Sequence, residues 1–376
     1  MRLTYVTSIH PDWDVRIWKM ARTVAALGHQ VNLVCPWGVE DSEVDGVMLR
    51  PFPRVMSRAK RLWEVRSRIQ PVLRRVAGDT DIFHFHDPDL LPVMARWNRR
   101  VPVVYDVHEN YPLEVQHRDF IPRPLRGLAG WTVQQLESHY AKRCSGIVCV
   151  VPFQMDRFRS LGKPLCEVRN YASRDLLETA SPDDYDQRLP VIGFTGAHYE
   201  ANGSLVVLEA AARVREVFPE VKFLIGDRFA SERFREQFES RLSEHALEET
   251  VQMEPNVPSP EIMTKLNRFK VAVSPYMDTP KLRRAIPTKI FEYMAASVPV
   301  ISSDLPLSRE LIRDDHDGVL VRPGDPGQLA DSIIGLLSDP ERSRRIGTAG
   351  LEAFKDRYCW EAQLDELVCM YQSLLK

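Results

Sequence analysis

The sequence has no long hydrophobic run, no paired-cysteine motif and almost no charge excess, and each absence removes a class of protein. The uncharged apolar stretch Cys144 to Met155 is too short to cross a bilayer as a helix, so any membrane attachment is expected to be peripheral. No charged segment followed by an apolar core opens the chain, where Arg2 to Thr7 reads as a strand, and no secretory leader is expected. Cys35, Cys144, Cys149, Cys166, Cys359 and Cys369 include no C-x-x-C pair and no histidine spacing suited to zinc. They read as reduced, mostly buried thiols of a cytoplasmic protein. G-x-G-x-x-G is missing, which removes support for nicotinamide or flavin chemistry. A net charge of -2 from 50 basic and 52 acidic side chains lacks the basic field of a nucleic-acid binder.

What remains is a chain of 376 residues with 44% hydrophobic and 27% charged side chains, enough for two ordinary domains with real cores. Its charge is unevenly placed. Residues 1–170 carry 25 basic and 18 acidic side chains, residues 171–376 carry 25 and 34. The basic excess gathers at Arg54, Arg58, Lys60, Arg61, Arg66, Arg68, Arg74 and Arg75, with Glu64 as the one acid among them. Segment 54–75, like the apolar and basic stretch 120–131 (FIPRPLRGLAGW), suits an anionic lipid surface or a solvated helix face.

The pattern along the chain is strand, loop, helix, repeated. Leu3 to Thr7 and Val31 to Val34 flank a helical face of Ile17, Met20, Val24 and Leu27 closed by Gly28, which makes one βαβ unit. Further strands are expected at 82–85, 101–107 and 146–151, with helices at about 59–77 and 131–143. A polar segment, 180–190 (ASPDDYDQRLP), reads as a linker. A second series follows, with strands at 191–195, 221–225, 251–253, 271–274, 298–302 and 319–321. The expected architecture is therefore α/β: two doubly wound, Rossmann-like domains, 1–179 and 191–359, with a helix over 360–376 returning to the first domain.

Open parallel sheets bind ligands beyond the C-terminal ends of their strands, so the residues following each strand are the candidates. They are His10, Asp12 and Asp14 after the first; His84, His86 and Asp87 at the end of strand 82–85; Asp106 and His108 at the end of strand 101–107; and Gly196 and Arg228 in the second domain. Such groups would converge on a cleft between domains. Asp14 is expected to cap the following helix. The D-x-D pairs Asp12/Asp14, Asp87/Asp89 and Asp315/Asp317 leave open a metal-dependent transferase with one nucleotide-binding domain.

The most informative stretch is Lys281 to Asp304, KLRRAIPTKIFEYMAASVPVISSD. A basic loop leads through Pro287, a good first helical residue, into a short helix and then a buried strand. Cations ahead of a helix N-terminus suit an anion, with diphosphate the obvious candidate. Lys289 falls in the first turn and Glu292 three residues on, where a carboxylate can accept from a ribose diol. A surface loop with solvated cations is the bland alternative.

At these residues the chain resembles the family-4 glycosyltransferases, retaining enzymes of the GT-B fold, two Rossmann-like domains facing across a cleft. EYMAASVPVISSD looks like the family's second-Glu helix and strand, with Glu292 as that Glu. DIFHFHD (81–87), YDVHENY (105–111), GFTGAHYEANG (193–203), DGVLVRPGD (317–325) and Trp360 follow in the family's order. The resemblance implies transfer of a sugar from a nucleotide diphosphate sugar to a glycan or lipid-linked acceptor, with no metal or other cofactor. It implies donor contacts from Gly196, Asn202, Arg228, Lys281, Arg283, Lys289 and Glu292, catalytic roles for His108, Arg284 and Lys289, and acceptor contacts from His10, Asp12, His86 and Asp87. PTKIFEY (287–293) looks like the P-x-K-x-x-E-Y form found in polysaccharide-assembly members; with a lipid-linked acceptor and segments 54–75 and 120–131, the enzyme is expected at the inner face of a membrane.

Three features depart from the family pattern. Arg284 stands where the family has the first Glu of E-x7-E, Ala197 and Asn202 stand where an Arg and a Lys grip the diphosphate, and HPDWD replaces the glycine-rich loop after the first strand. Lysine is scarce, 11 of the 50 basic residues, and Lys289 is expected to take over as main diphosphate ligand. A nucleotide-sugar-binding protein without activity, and an epimerase or phosphorylase of the same fold, are the alternatives these departures raise.

Overall fold

The computed structural model describes residues 1–11, 14–116, 121–255, 257 and 261–376. Asp12 and Phe120 lie outside them. The chain divides into two compact units, Met1–Asn170 with Gln363–Lys376, and Tyr171–Ala362.

Short β-branched runs alternate with helical periods through the first unit, and each run becomes a strand whose two faces must be covered. The strands are β1 (Arg2–Val6), β2 (Gln30–Cys35), β3 (Ser42–Val44), β4 (Val47–Pro51), β5 (Ile82–Phe85), β6 (Val103–Val107), β7 (Gly146–Cys149) and β8 (Leu165–Glu167). They form one sheet in the order β3-β4-β2-β1-β5-β6-β7-β8, parallel throughout except where β3 runs against β4. That hairpin turns at Asp45 and Gly46, both with positive φ, the two-residue Asp-Gly turn whose twist matches its flanking strands. Helices Val15–Ala26, Arg58–Val76, Leu91–Trp97, Arg126–Ala141 and Pro152–Arg159 fill the connections. Val34, Phe83, Phe85, Tyr105 and Ile147 of the sheet pack with Ile69, Leu73 and Met94 of the helices in one buried cluster.

The second unit repeats the scheme. Its strands β9 (Val191–Phe194), β10 (Lys222–Gly226), β11 (Val251–Glu254), β12 (Val271–Ser274), β13 (Val300–Ser303) and β14 (Val319–Val321) are arranged β11-β10-β9-β12-β13-β14, all parallel. The change of direction away from β9 puts the loops after β9 and β12 side by side, the place where open sheets bind ligands.

Two boundaries differ from the sequence reading. Segment 180–190 is part of the second unit: Tyr185 donates to the Lys270 carbonyl at 2.8 Å, and Arg188 donates to the carbonyls of Phe269, Ser181 and Ala296. A polar composition alone cannot separate a linker from a loop whose polar groups hold backbone carbonyls. The tail is likewise not one helix. A turn, Trp360–Gln363, precedes the helix Leu364–Leu374. Trp360 is fully buried, and its backbone N–H donates to Ala172 in the second unit. Met370 and Leu374 instead lie against Gly146 of the first unit. The apolar spacing is shared between two cores.

Trp360→Ala is expected to cost about 3–5 kcal/mol and to lower hydrogen-exchange protection in β12 and β13 while sparing β5 and β6. Loss of protection in β5 and β6 first would contradict the assignment of Trp360 to the second unit.

Candidate active site

In the first unit the chemistry gathers at the C-terminal ends of β1, β5 and β6, in layers. Outermost are His10 and His108, both partly accessible, with ring centroids 5.9 Å apart. Beneath them His86, Asp87 and Asp106 have no exposure. His86 Nδ1 lies 2.8 Å from His108 Nε2 and 3.3 Å from Asp106 Oδ2. Deeper still, His84 contacts Asp106 through Nε2 at 3.4 Å and the Tyr371 hydroxyl through Nδ1 at 2.6 Å. Tyr371 in turn meets Tyr5 at 3.2 Å. The alternation of a strand, carried one residue past its end, explains the layering, since residues two apart share a face: His84 in β5 and His86 just after it, Asp106 in β6 and His108 just after it.

Charge is balanced by residues from the first loop and helix. Arg16 donates to both oxygens of Asp106 at 3.0 Å. Burial opposes ionisation of Asp106, but Arg16 and its imidazole neighbours hold the carboxyl well below the usual range. Asp14 caps the helix by accepting from Arg16 and Ile17 N–H and lies 2.9 Å from His10 Nδ1. Asp87 accepts from Thr7 Oγ1 and Ser8 N and faces His10 Nε2 at 3.4 Å. Burial works against a charged His10, yet the bonds to Asp14 and Asp87 outweigh it and raise His10 to about 10. His86 goes the other way, pushed down to about 3 by burial. The cluster thus holds a cationic ring at the surface over a neutral one.

His84, His86 and Asp106 are also close enough for three ligand atoms to surround one ion. The guanidinium of Arg16 already occupies both oxygens of that carboxylate, so a metal there would have to work against a fixed positive charge.

In the second unit Lys289 is the centre. Its helix, Lys289–Ala295, is short, and the half-buried ammonium donates to the Thr195 carbonyl at 2.7 Å. It sits 4.5 Å from the Phe194 ring centroid and 5.6 Å from that of Tyr276, a cation–π setting. Burial lowers its pKa to about 8, with Glu292 opposing. No ion pair holds Lys289 among the described residues. Gly196, at φ 99°, passes so close that a Cβ there would lie 3.5 Å from Nζ.

Residues 14–169 match the model of Glycosyltransferase Family 4, and residues 189–339 match that of Glycosyl transferases group 1. The chain is a GT-B glycosyltransferase. Phosphatidyl-myo-inositol mannosyltransferase of Mycobacterium leprae is 25% identical over 95% of this chain and 92% of its own length. D-inositol 3-phosphate glycosyltransferase of Segniliparus rotundus is 28% identical over 50% of this chain and 40% of its own. Sucrose-phosphate synthase from Thermosynechococcus elongatus has the same fold, with a TM-score of 0.76 at 16% identity over 100% of this chain and 99% of its own. So does Anabaena HepE, solved in complex with UDP, with a TM-score of 0.72 at 14% identity over 99% and 100%.

Several expected site residues of this glycosyltransferase are engaged otherwise. Asn202 is buried and holds its own turn, donating to the Ala197 carbonyl and accepting from Ser204 Oγ at 2.6 Å, so it is not a donor contact. Arg283 is taken by Asp278 at the surface. His86 and Asp87 are fully buried and cannot touch an acceptor; they position His108 and His10. Of the D-x-D pairs, Asp317 is spent on Arg313 and Asp315 on Arg342 and Arg345. Gly196 and Lys289 are brought together. Lys281 and Arg284 are exposed on the loop before them, where the charge of Lys281 opposes the rise that burial imposes on the Tyr199 phenol. Arg228 is exposed, and its carbonyl accepts from His198 N. The sequence reading missed the roles of Arg16, Asp106 and Tyr371. Only Asp106 carried a signal, two residues before His108 at the end of β6.

Asp106→Asn leaves the Arg16 guanidinium buried without its counter-charge and is expected to cost about 3–5 kcal/mol in urea unfolding. His10 has a folded pKa near 10 against 6.5 unfolded. Its stabilisation is therefore complete below about 6.5 and fades as the pH rises toward about 10. The Tm gap between the parent and His10→Gln should shrink across that window; a constant gap would show that the charge of His10 is not what stabilises the loop.

Proposed function

We propose that this glycosyltransferase moves a sugar from a nucleotide diphosphate sugar to a hydroxyl of a glycan or lipid-linked acceptor, with retention and without a metal. The observation that carries the reading is Lys289: a half-buried ammonium with no carboxylate partner among the described residues, beside a glycine that leaves room for a ligand. A departing diphosphate needs preorganised positive charge more than it needs a nucleophile. Lys289 supplies that charge, with Lys281 and Arg284 nearby in sequence, and Glu292 contacts the ribose. In this scheme the anomeric carbon–oxygen bond to the diphosphate breaks and the acceptor oxygen bonds the same face. The acceptor proton passes to the leaving phosphate oxygen. His108 steadies the transferring sugar, and His10 contributes a fixed positive ring on the acceptor side.

The names of the relatives support the acceptor class, since one acts on phosphatidyl-myo-inositol, and HepE bound to UDP makes UDP-sugars the first donors to test. No helix among the described residues is long and apolar enough to cross a membrane. Peripheral contact at the inner face is proposed through segments 54–75 and 120–131. Trp63 is 83% exposed on the first and Trp131 58% on the second, with Leu125 and Leu128 beside it; indole and leucine side chains in water suit a lipid interface.

Lys289→Ala is expected to weaken binding of the donor nucleotide by about ten- to a hundredfold, the equivalent of about 1.5–3 kcal/mol for a charge-assisted contact. Unchanged affinity and turnover would remove Lys289 from the site. Because the ammonium titrates near 8, kcat/KM of the parent should fall above that pH while Lys289→Arg keeps its rate to higher pH. A thermal-shift panel of UDP-, GDP- and ADP-sugars identifies the base, and NMR of the product anomer tests retention. Inversion would overturn the mechanism without touching the donor assignment.

A further inference from the structure

At the opposite end of the first sheet, a concavity of about 720 Å³ is lined by Arg74, Arg96, Arg99, Arg100 and Arg143, with Trp97 and Asn98 among the remaining residues and no acidic side chain. Arg99 and Arg100 lie in the turn that precedes β6, Arg143 in the turn that precedes β7, and Arg74 in the last turn of helix Arg58–Val76. Since β5, β6 and β7 are parallel neighbours, this is the N-terminal edge. The length of β6, about 16 Å for five residues, separates it from His108.

None of these five arginines forms an ion pair among the described residues. The contrast with their neighbours is direct: Arg75 pairs with Asp41 at 2.9 Å and Arg68 with Glu64 at 2.8 Å. Five like charges around one hollow repel one another; Arg100 lies over the Trp97 ring and Arg143 over the Tyr140 ring, each at 5.8 Å, contacts that leave the charge uncancelled. The ground beneath them is fixed. Asn98 Oδ1 accepts from Val103 N at 2.8 Å and from Ser145 Oγ at 2.6 Å, tying the two turns together. Arg100 N and Val101 N both donate to the Trp97 carbonyl. The arginine-bearing backbone is thus held in place before any ligand arrives, so less ordering is needed on binding. Guanidinium groups suit phosphate oxygens, which they grip in pairs.

We propose that this concavity is a second anion site, for a ligand carrying two or more phosphate groups, distinct from the donor site at Lys289. The shared chemistry is clustered phosphate, whether presented in solution or by headgroups at a lipid surface. It does not depend on the glycosyl-transfer reading, because the two sites lie in different units.

The test is isothermal titration of the full chain with inorganic pyrophosphate, parent against Arg96→Gln/Arg99→Gln/Arg100→Gln, alongside sedimentation with phosphatidylcholine vesicles with and without phosphatidylglycerol. The triple variant should lose one pyrophosphate equivalent, or weaken that site about tenfold or more, while the equivalent that Lys289→Ala removes stays intact. Failure of the donor reading would leave one equivalent in the parent and none in the triple variant, so the two failures are distinguishable. Loss of vesicle binding together with pyrophosphate binding assigns the site to headgroups; loss of pyrophosphate binding alone assigns it to a soluble ligand. The changed side chains are exposed, so the Tm should hold or rise as repulsion is relieved. Identical titrations and sedimentation for parent and variant, or no binding of either probe by the parent, would overturn the proposal.

Discussion

The negative charge of Asp106 has to be balanced inside the first unit, because its carboxylate has no contact with water, and an uncompensated charge there would be very costly. Arg16 provides the balance, and can do so only if the helix Val15–Ala26 starts at the right point. Asp14 fixes that start by capping it, and the same carboxylate pins His10. On the other side His84 bridges Asp106 to Tyr371, which anchors the helix Leu364–Leu374 to the sheet. One buried charge therefore sets the loop after β1, the first helix, the imidazoles of His84, His86 and His108 and the last helix of the chain. The partly exposed His108 is held from behind by His86 and Asp106.

The second unit solves the opposite problem, keeping a cation available. An arginine at position 289 would reach further and bond in several directions at once, whereas an ammonium is compact enough to rest between Phe194 and Tyr276 with one bond to the Thr195 carbonyl. Aromatic faces and a carbonyl offset part of its desolvation without neutralising it. The positive φ of Gly196 keeps the space beside Nζ open, and a side chain there would be strained as well as crowded. Asn202, engaged inside its own turn, shapes this loop but adds no charge to it.

Legibility followed physical origin. The strands of both sheets were readable from β-branched runs, and Val271–Ser274 and Val319–Val321 lie where the apolar pattern ends on both sides. β3, β4 and β8 escaped: β3 and β8 are three residues long, too short to show a period, although Asp45-Gly46 was a turn signal in plain view. Lys289 could be singled out because anion chemistry is local to one motif. Burial was the hidden quantity: His86 and Asp87 carry the right chemistry in the right place after β5, but only the fold shows that they face inward. Arg16 and Tyr371 act on Asp106 across 90 and 265 positions of sequence, and no spacing rule connects them.

Net charge proved a poor guide to where anions can bind, and pairing a good one. Much of the second unit's basic charge is paired locally with its own carboxylates: Arg309 with Asp304, Arg313 with Asp317, Arg342 and Arg345 with Asp315, Arg283 with Asp278. Such surface pairs contribute little stability, but they cancel fields locally, so a single unpaired ammonium at position 289 can dominate its surroundings in a unit that is acidic overall. In the first unit the surplus is basic and five of its arginines are left together, with no ion pair among the described residues to cancel them. Both sites follow from one rule: an anion is drawn to the cation that the fold has positioned and left without a counter-charge, whatever the sum over the chain.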